Sequence, residues 1–300
     1  MAQSDAGLLA LENVSAAIRK GRLSPQALEG ILKGYAIFGQ LGEAFFRGDI
    51  GTDRLSALLA PAASKPRPAK ATPAPRFSIP LASDQERAAK IMGAGFVAPD
   101  AYLNAFRLRS GFSDADLAAL ARVPWTDDEL AEEAKLGSML WPHFAPVTLP
   151  TLRKTFGTSQ RRQPCFYEDN DWWKADEHKS LRDNVLPTGW HLVRTAPEAN
   201  STSITWDAQT ALIPATHRRT WALEVVEMTL LGWQIQRRRF LENLYAWCQD
   251  LVGNGNRSLA GSFDPAGLAL DGNRPSGAWS DNALVLSRKP SQPLALGPSA

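Results

Sequence analysis

The stretch Phe263–Pro290, FDPAGLALDGNRPSGAWSDNALVLSRKP, holds the most regular strand pattern of the 300-residue chain. Leu268 and Leu270 alternate with Ala269 and Asp271, so one strand face is apolar and the other carries small or polar side chains. Turn-forming Gly, Asn and Pro follow, and then a second apolar run precedes a basic pair. The pattern predicts closing strands with one buried face and one free face.

Further short runs typical of strands precede this stretch from Pro142 onward: CFYED, GWHLVR, STSITW, NLYAWC and SLAGSF. Between them, WALEVVEMTLLGWQIQRRRF places Leu223, Val226 and Leu230 on one helical face, which predicts a buried helix. Few helices followed by a series of late strands indicate an α+β fold.

The first half of the chain is mostly helical in pattern. Ser113 with Asp116, and Thr126 with Glu129, have the spacing of capping boxes, which mark helix starts. Apolar residues near the N-terminus recur at helical spacing and predict a small helical bundle. A stretch rich in Pro, Ala, Lys and Arg then predicts a linker. The predicted organisation is a helical domain, a linker, and a C-terminal domain with a helical part and a strand-rich core: residues 1–60, 61–78 and 79–300, the last divided into 79–141 and 142–290.

Composition excludes several classes of protein. A net charge of +2 gives no reason to expect a nucleic acid partner. We expect no signal peptide at the N-terminus, and no apolar run reaches about 18 residues, so we expect no transmembrane segment. Cytoplasmic location is the default, although a partner could carry the protein to a surface. Cys165 and Cys248 cannot form a disulfide framework, and buried structural thiols are favoured over a catalytic or copper-binding pair.

Enzymatic motifs are mostly absent, since the sequence has no P-loop, dinucleotide fingerprint or nucleophile elbow. The four histidines lack metal-pair spacing, so we expect no metal and no cofactor. The acidic segment Glu168–His178 is either a metal or acid–base site or, as we favour, a surface loop anchored by Trp172 and Trp173. The basic triplets 217–219 and 237–239 could contact phosphate, but solvated charge at helix ends is favoured.

An ordered series of segments resembles one protein family: CFYEDNDWW, GWHLVR, NSTSITWDAQTAL, ENLYAWCQD, GNRSLAGSFDPAGLAL and WSDNALVLSRK. Over roughly residues 85–290, the chain resembles variable proteins of diversity-generating retroelements. The resemblance implies a C-type lectin fold, in the version shared with formylglycine-generating enzymes. It also implies that a reverse transcriptase mutates adenines in a template, and that the copy replaces the C-terminal coding segment.

The resemblance therefore implies a non-catalytic protein that displays a hypervariable ligand-binding surface. It places the varied positions at Asn256, Leu259, Ser262, Ala266, Ala269, Asp271, Asn273, Arg274, Ser280 and Asn282. Mutation of both adenines of an Asn codon can produce all of these residue types, but not Trp. The implied fixed frame around the site is Trp247, Phe263, Leu268, Leu270 and Trp279. The segment GAWSDNALVLSRK departs from the usual WDD…LG pattern of the family.

The expected ligand is a protein or a glycan, and the N-terminal helices could form a homo-oligomer. One alternative is an enzyme of the formylglycine-generating or metal-dependent type on the same fold. Formylglycine-generating activity needs a specific thiol pair, which Cys248 alone does not supply. Calcium-dependent sugar binding uses a Trp-Asn-Asp motif, which WSDN matches only in part. A further alternative is an oligomeric scaffold whose C-terminal domain is inert.

Overall fold

The computed structural model describes residues 77–168 and 172–292, which fall in one compact unit. This part of the chain is a mixed α+β fold with eight α-helices and two four-stranded sheets. The α+β class predicted from the sequence is thus confirmed. The predicted helical domain 1–60, and the linker 61–78 apart from its last two residues, lie outside the described residues.

The helices are short, and four of the eight in the described residues precede Pro142. Ser113 Oγ accepts the N–H of Asp116 at 3.2 Å, and Thr126 Oγ1 accepts that of Glu129 at 3.4 Å, so both predicted capping boxes are confirmed. The helices are α1 Ser83–Met92, α2 Pro99–Ala105, α3 Asp114–Leu120, α4 Asp127–Lys135, α5 Leu149–Phe156, α6 Lys179–Arg182, α7 Trp206–Thr210 and α8 Ala222–Leu231.

The strands form two sheets. They are β1 Ser138–His143, β2 Gly189–Arg194, β3 His217–Arg219, β4 Tyr245–Val252, β5 Asn256–Asp264, β6 Gly267–Asn273, β7 Asn282–Ala283 and β8 Leu286–Arg288. The first sheet has the order β1-β2-β8-β3 and is antiparallel. The second has the order β6-β5-β4-β7, in which β7 runs parallel to β4 and the other pairs are antiparallel.

Three strand predictions differ from the structure: the start of β1 and the runs CFYED and STSITW. In the described residues of CFYED, only Phe166 pairs, in an isolated bridge with Leu268. β1 begins at Ser138 rather than after Pro142, and Pro142 lies inside the strand opposite Trp190. The run STSITW is not a strand, because Thr205 caps α7 by accepting the N–H of Ala208 at 3.2 Å. A hydroxyl side chain that binds its own backbone in this way favours a helix start over a strand.

Helix α8 is buried along its whole length, so the predicted buried helix is confirmed. It contacts β5 and β4 of the second sheet as well as β2 of the first. Its buried residues include Glu224, Glu227 and Thr229 in addition to the apolar ones. A helix that is buried on all sides belongs to the core, and its two buried carboxylates require partners there.

The chain passes from the second sheet to the first near its C-terminal end. β7 ends at Ala283 and β8 begins at Leu286, with Leu284 and Val285 fully buried between them. The sequence run NALVLSR therefore supplies one strand to each sheet rather than a single strand. Among the described residues, no helix has the length and apolar character needed to cross a bilayer.

Candidate functional site

The register of β4, β5 and β6 divides their side chains between two faces. Ala260 lies opposite Leu270 on β6 and Ala246 on β4, and Leu268 and Leu270 are fully buried. Residues directly opposite one another in a sheet project to the same side. The opposite side, here called the outer face, carries Tyr245, Trp247, Arg257, Leu259, Ala269, Asp271 and Asn273.

The middle of the outer face is buried, and two chain segments are joined beside Arg257 at one end of it. Trp206 N donates to Pro275 O at 3.0 Å, and Ser203 N donates to Trp279 O at 2.9 Å, which joins the segment before α7 to the loop before β7. Leu259 is only 1% exposed and Ala269 6%. The expected free face is therefore restricted to the two ends of the outer face and the loop 274–281.

The predicted varied positions differ in exposure, and three of them are buried. Leu259, Ala269 and Asn282 are buried, so their side chains are not displayed. Asn282 lies opposite Tyr245 in the parallel pair of β7 with β4, and its carbonyl accepts from Gln209 at 3.2 Å. The accessible positions are Asp271, Arg274 and Ser280, which are exposed, and Asn256, Ser262, Ala266 and Asn273, which are partly buried.

The residues of the predicted frame also differ in exposure. Trp247, Phe263, Leu268 and Leu270 are fully buried, but Trp279 is 47% exposed. The backbone of Trp279 anchors the loop, while its indole lies over Gly277, where a Cβ would overlap the ring. Trp279 thus presents an aromatic surface to solvent beside the accessible positions.

One end of the outer face carries acidic and phenolic groups. Burial raises the pKa of Tyr245, and the charges of Asp271 and Asp281 raise it further against a hydrogen bond with Ser262. Desolvation and the charge of Asp281 likewise raise the pKa of Asp271. Tyr167, whose side chain is 42% exposed, also raises the pKa of Tyr245 through its charge. This end offers oxygen acceptors and aromatic surface, which suits recognition of hydrogen-bond donors.

The other end is cationic. The guanidinium carbons of Arg219 and Arg257 each lie 4.3 Å from the centroid of the Trp206 ring. Burial lowers the pKa of Arg219 to about 10, and the charge of Arg257 contributes to the same shift. Asn273 lies opposite Arg257 in the register of β5 and β6. The two ends of the outer face therefore carry opposite charge.

The triplet 217–219 was predicted as solvated charge at a helix end, and the structure shows this to be wrong. His217 and Arg219 are 3% exposed, because the triplet forms β3 and pairs with β8. The triplet 237–239 follows a π-helical turn, and Arg237 and Arg238 are exposed. That second prediction holds for these two residues.

Sequence reasoning missed a buried network of histidines and glutamates. His143 and His191 contact Glu227 and Glu224 of α8 through Nδ1, at 2.9 and 2.6 Å. His217 Nε2 contacts Glu133 at 2.9 Å. The available signal was a pair of carboxylates three residues apart in an otherwise apolar helix. All these carboxylates are fully buried, so the network joins elements of the core.

The segment around Glu177 is anchored by aromatics, as predicted. Trp173 is fully buried, and Trp172 Nε1 donates to Leu270 O at 3.0 Å. His178 Nδ1 accepts the N–H of Gly253 at 3.1 Å, which leaves Nε2 to donate to Glu177 at 3.1 Å. No group of three or more His, Cys, Asp or Glu residues suited to a metal occurs in the part of the chain that the structure describes.

The two cysteines are free and buried. Burial raises the pKa of both thiols, most strongly at Cys248, so neither has the lowered pKa of a reactive cysteine. This agrees with the preferred interpretation of structural thiols.

Comparison with protein-family models, curated proteins and solved structures finds no match to the chain.

Proposed function

We propose that this chain is a non-catalytic ligand-binding protein of the C-type lectin fold, in which the accessible parts of the outer face and the loop 274–281 form a hypervariable surface diversified by a retroelement. One observation carries the proposal. The register of β4, β5 and β6 directs Leu268 and Leu270 into the core, while Asp271 and Asn273 of the same strand remain accessible on the outer face. Side chains can change on such a face without changing the frame.

The surroundings of the outer face support the same proposal. The loop 274–281 is exposed along most of its length, but its backbone is held at Pro275 and Trp279 by hydrogen bonds from Trp206 and Ser203. Binding to a surface that is already ordered costs little conformational entropy. Exposed aromatic side chains such as Trp279 also supply large contact areas at low entropic cost.

Burial narrows the displayed set that we propose. Varied side chains contact a ligand at Asn256, Ser262, Ala266, Asp271, Asn273, Arg274 and Ser280, with Trp279 as a constant contact. A change at the three buried positions would alter the packing of the frame and would not contact the ligand. These positions are Leu259, Ala269 and Asn282. The ligand is a protein or a glycan, and we propose that residues 1–60 mediate assembly.

The genomic neighbourhood provides the first test. We expect the downstream DNA to contain a near-identical copy of the segment that encodes residues 256–282, differing from it only at adenines, and a reverse transcriptase gene. The differences should fall at codons of the displayed set. A locus with neither the repeat nor the reverse transcriptase would exclude diversification by a retroelement.

A protein library provides the second test. Asp271, Arg274 and Ser280 are randomised together in one library, and Leu259, Ala269 and Asn282 in a matched control library. Resistance to proteolysis, measured for each library on the surface of phage, reports the folded fraction. We expect the first library to remain almost entirely folded and the control library to lose most folded members. Equal folded fractions would contradict the displayed set.

A further inference from the structure

The cationic end of the outer face contains two arginines beside one tryptophan. Arg219 and Arg257 each lie 4.3 Å from the centroid of the Trp206 ring, the distance of a cation–π contact. Arg219 is 3% exposed. Its guanidinium donates only to neutral oxygens: Gln209 Oε1 at 2.7 Å, Thr210 Oγ1 at 3.1 Å, and the carbonyls of Trp206 and Trp247 at 3.0 and 3.4 Å.

These two positive charges have no hydrogen-bonded carboxylate among the described residues. A buried cation without an opposite charge is unfavourable, and the lowered pKa of Arg219 reflects this. Asp207, which is exposed in α7, acts on Arg219 only at longer range. The arrangement therefore has an excess of positive charge that an anion at the surface would neutralise.

Arg257 is the member of the pair that a ligand can reach. It is partly exposed, and its one hydrogen bond in the described part of the chain runs from Nη1 to Gln249 O at 2.8 Å. Since a guanidinium has five N–H groups, four remain for an acceptor. Asn273 lies opposite Arg257 across the sheet, and Arg274 follows it with an exposed side chain. Both neighbours add hydrogen-bond donors and neither adds negative charge.

We infer that Arg257, held against Trp206 beside the buried Arg219, is a recognition point for an oxyanion carried by the ligand. The chemistry is that of a carboxylate, sulfate or phosphate group, whose paired oxygens match the fork of the guanidinium. Arg257, Trp206 and Arg219 are not among the predicted varied positions, so every variant of the surface would retain this point. The inference rests on the proposed function, because it names a constant feature of the same face.

The test uses the full chain and the side-chain Nε–Hε resonances of its arginines, with the Arg257 signal assigned by its loss in Arg257→Lys. Acetate, sulfate and phosphate are each added to the protein in a separate titration. A titration with sodium chloride at the same ionic strength is the reference. We expect at least one oxyanion to shift the Arg257 signal along a saturable curve. The ion that saturates the shift at the lowest concentration identifies the chemical group that the site prefers. The exposed Arg237 serves as an internal control and should not shift. Equal shifts with chloride, or no saturable shift, would overturn the inference.

Variants make the test specific to this residue. Arg257→Gln should weaken binding of the same oxyanion about tenfold or more, because charged hydrogen bonds are lost. Arg237→Gln is the matched control and should leave affinity unchanged. Unchanged affinity in Arg257→Gln would also overturn the inference. The wild-type titration needs no variant to fold, and its result is independent of the genomic test, so the recognition point and the retroelement can fail separately.

Discussion

Glu224 and Glu227 lie one turn apart on α8 and accept hydrogen bonds from histidines of two neighbouring strands. His191 of β2 contacts Glu224 at 2.6 Å, and His143 of β1 contacts Glu227 at 2.9 Å. Although burial alone would raise the pKa of Glu224, the charge of Arg218 lowers it, so this carboxylate is an acceptor and His191 Nδ1 carries the proton. The first sheet is thus joined to α8 by polar contacts, while the second sheet packs on the same helix.

Replacement of Glu227 should destabilise the protein strongly. Glu227→Ala removes the acceptor of three buried donors, which are Tyr102 Oη at 2.6 Å, Trp141 Nε1 at 2.8 Å and His143 Nδ1 at 2.9 Å. Leaving a buried polar group without its partner costs roughly 1–3 kcal/mol, so the loss of three partners should cost about 3 kcal/mol or more. Urea denaturation gives the free energy of unfolding. The exposed Glu242→Ala should change it by less than about 0.5 kcal/mol, and similar losses in both variants would refute the role of the network.

Glu133 should make stability depend on pH in the acid range. Burial alone would raise the pKa of Glu133, but hydrogen bonds from His217, Ser138 and Arg194 outweigh it and lower the pKa to about 2. A carboxylate with a lowered pKa stabilises the folded state above its unfolded pKa of about 4.5, and this contribution is lost as the pH falls towards 2. The loss amounts to about 3 kcal/mol.

Chemical denaturation at a series of pH values checks this contribution. Glu133→Gln cannot titrate, so its free energy of unfolding should fall less steeply than that of the wild type between pH 4.5 and pH 2. Glu242→Gln, altered at an exposed site, should keep the wild-type slope. If Glu133→Gln also kept that slope, the acid sensitivity would come from other groups.

The two faces of β6 should respond differently to substitution. Leu268→Asp and Leu270→Asp each place a carboxylate in the core without a partner, which should cost more than about 3 kcal/mol. Asp271→Ala alters the exposed side and should stay within about 0.5 kcal/mol. Thermal melts compare the three variants. A large loss in Asp271→Ala would mean that this side of β6 belongs to the core.

Gly267 should not tolerate a side chain. Its φ is +135°, and a Cβ there would lie 2.6 Å from Phe166 C and 2.7 Å from Tyr167 N, both backbone atoms. Gly157, with φ +65° and open space at its Cβ position, is the matched control for backbone strain alone. We expect Gly157→Ala to cost about 1 kcal/mol and Gly267→Ala several times more, measured by urea denaturation. Equal costs would show that the contact with Phe166 relaxes freely.

The sequence predicts the locally determined parts of the fold well. The capping boxes at Ser113 and Thr126 and the buried helix α8 each depend on residues a few positions apart. The strand predicted at STSITW fails because Thr205 uses its hydroxyl as a helix cap, a choice that propensity alone does not reveal.

Contacts distant in the chain account for what the sequence does not predict. His143 and Glu227 are 84 residues apart, so nothing local connects them. Leu259 and Ala269 lie on the outer face in the sheet register, but both are buried, which the alternation of residues along a strand cannot show. The sequence places Trp279 in the fixed frame because adenine mutation of an Asn codon cannot produce Trp. The exposure of its side chain depends instead on the position of the loop 274–281.

The position of β8 has a consequence for how the protein is made. β8 lies between β2 and β3 in the first sheet, and β3 pairs only with β8 among the described strands. A ribosome synthesises β2 and β3 long before Leu286–Arg288. The edges of β2 and β3 that pair with β8 therefore stay unpaired until Leu286–Arg288 has been synthesised. During that time they can pair with strands of other chains. Cellular chaperones would be needed most during that interval.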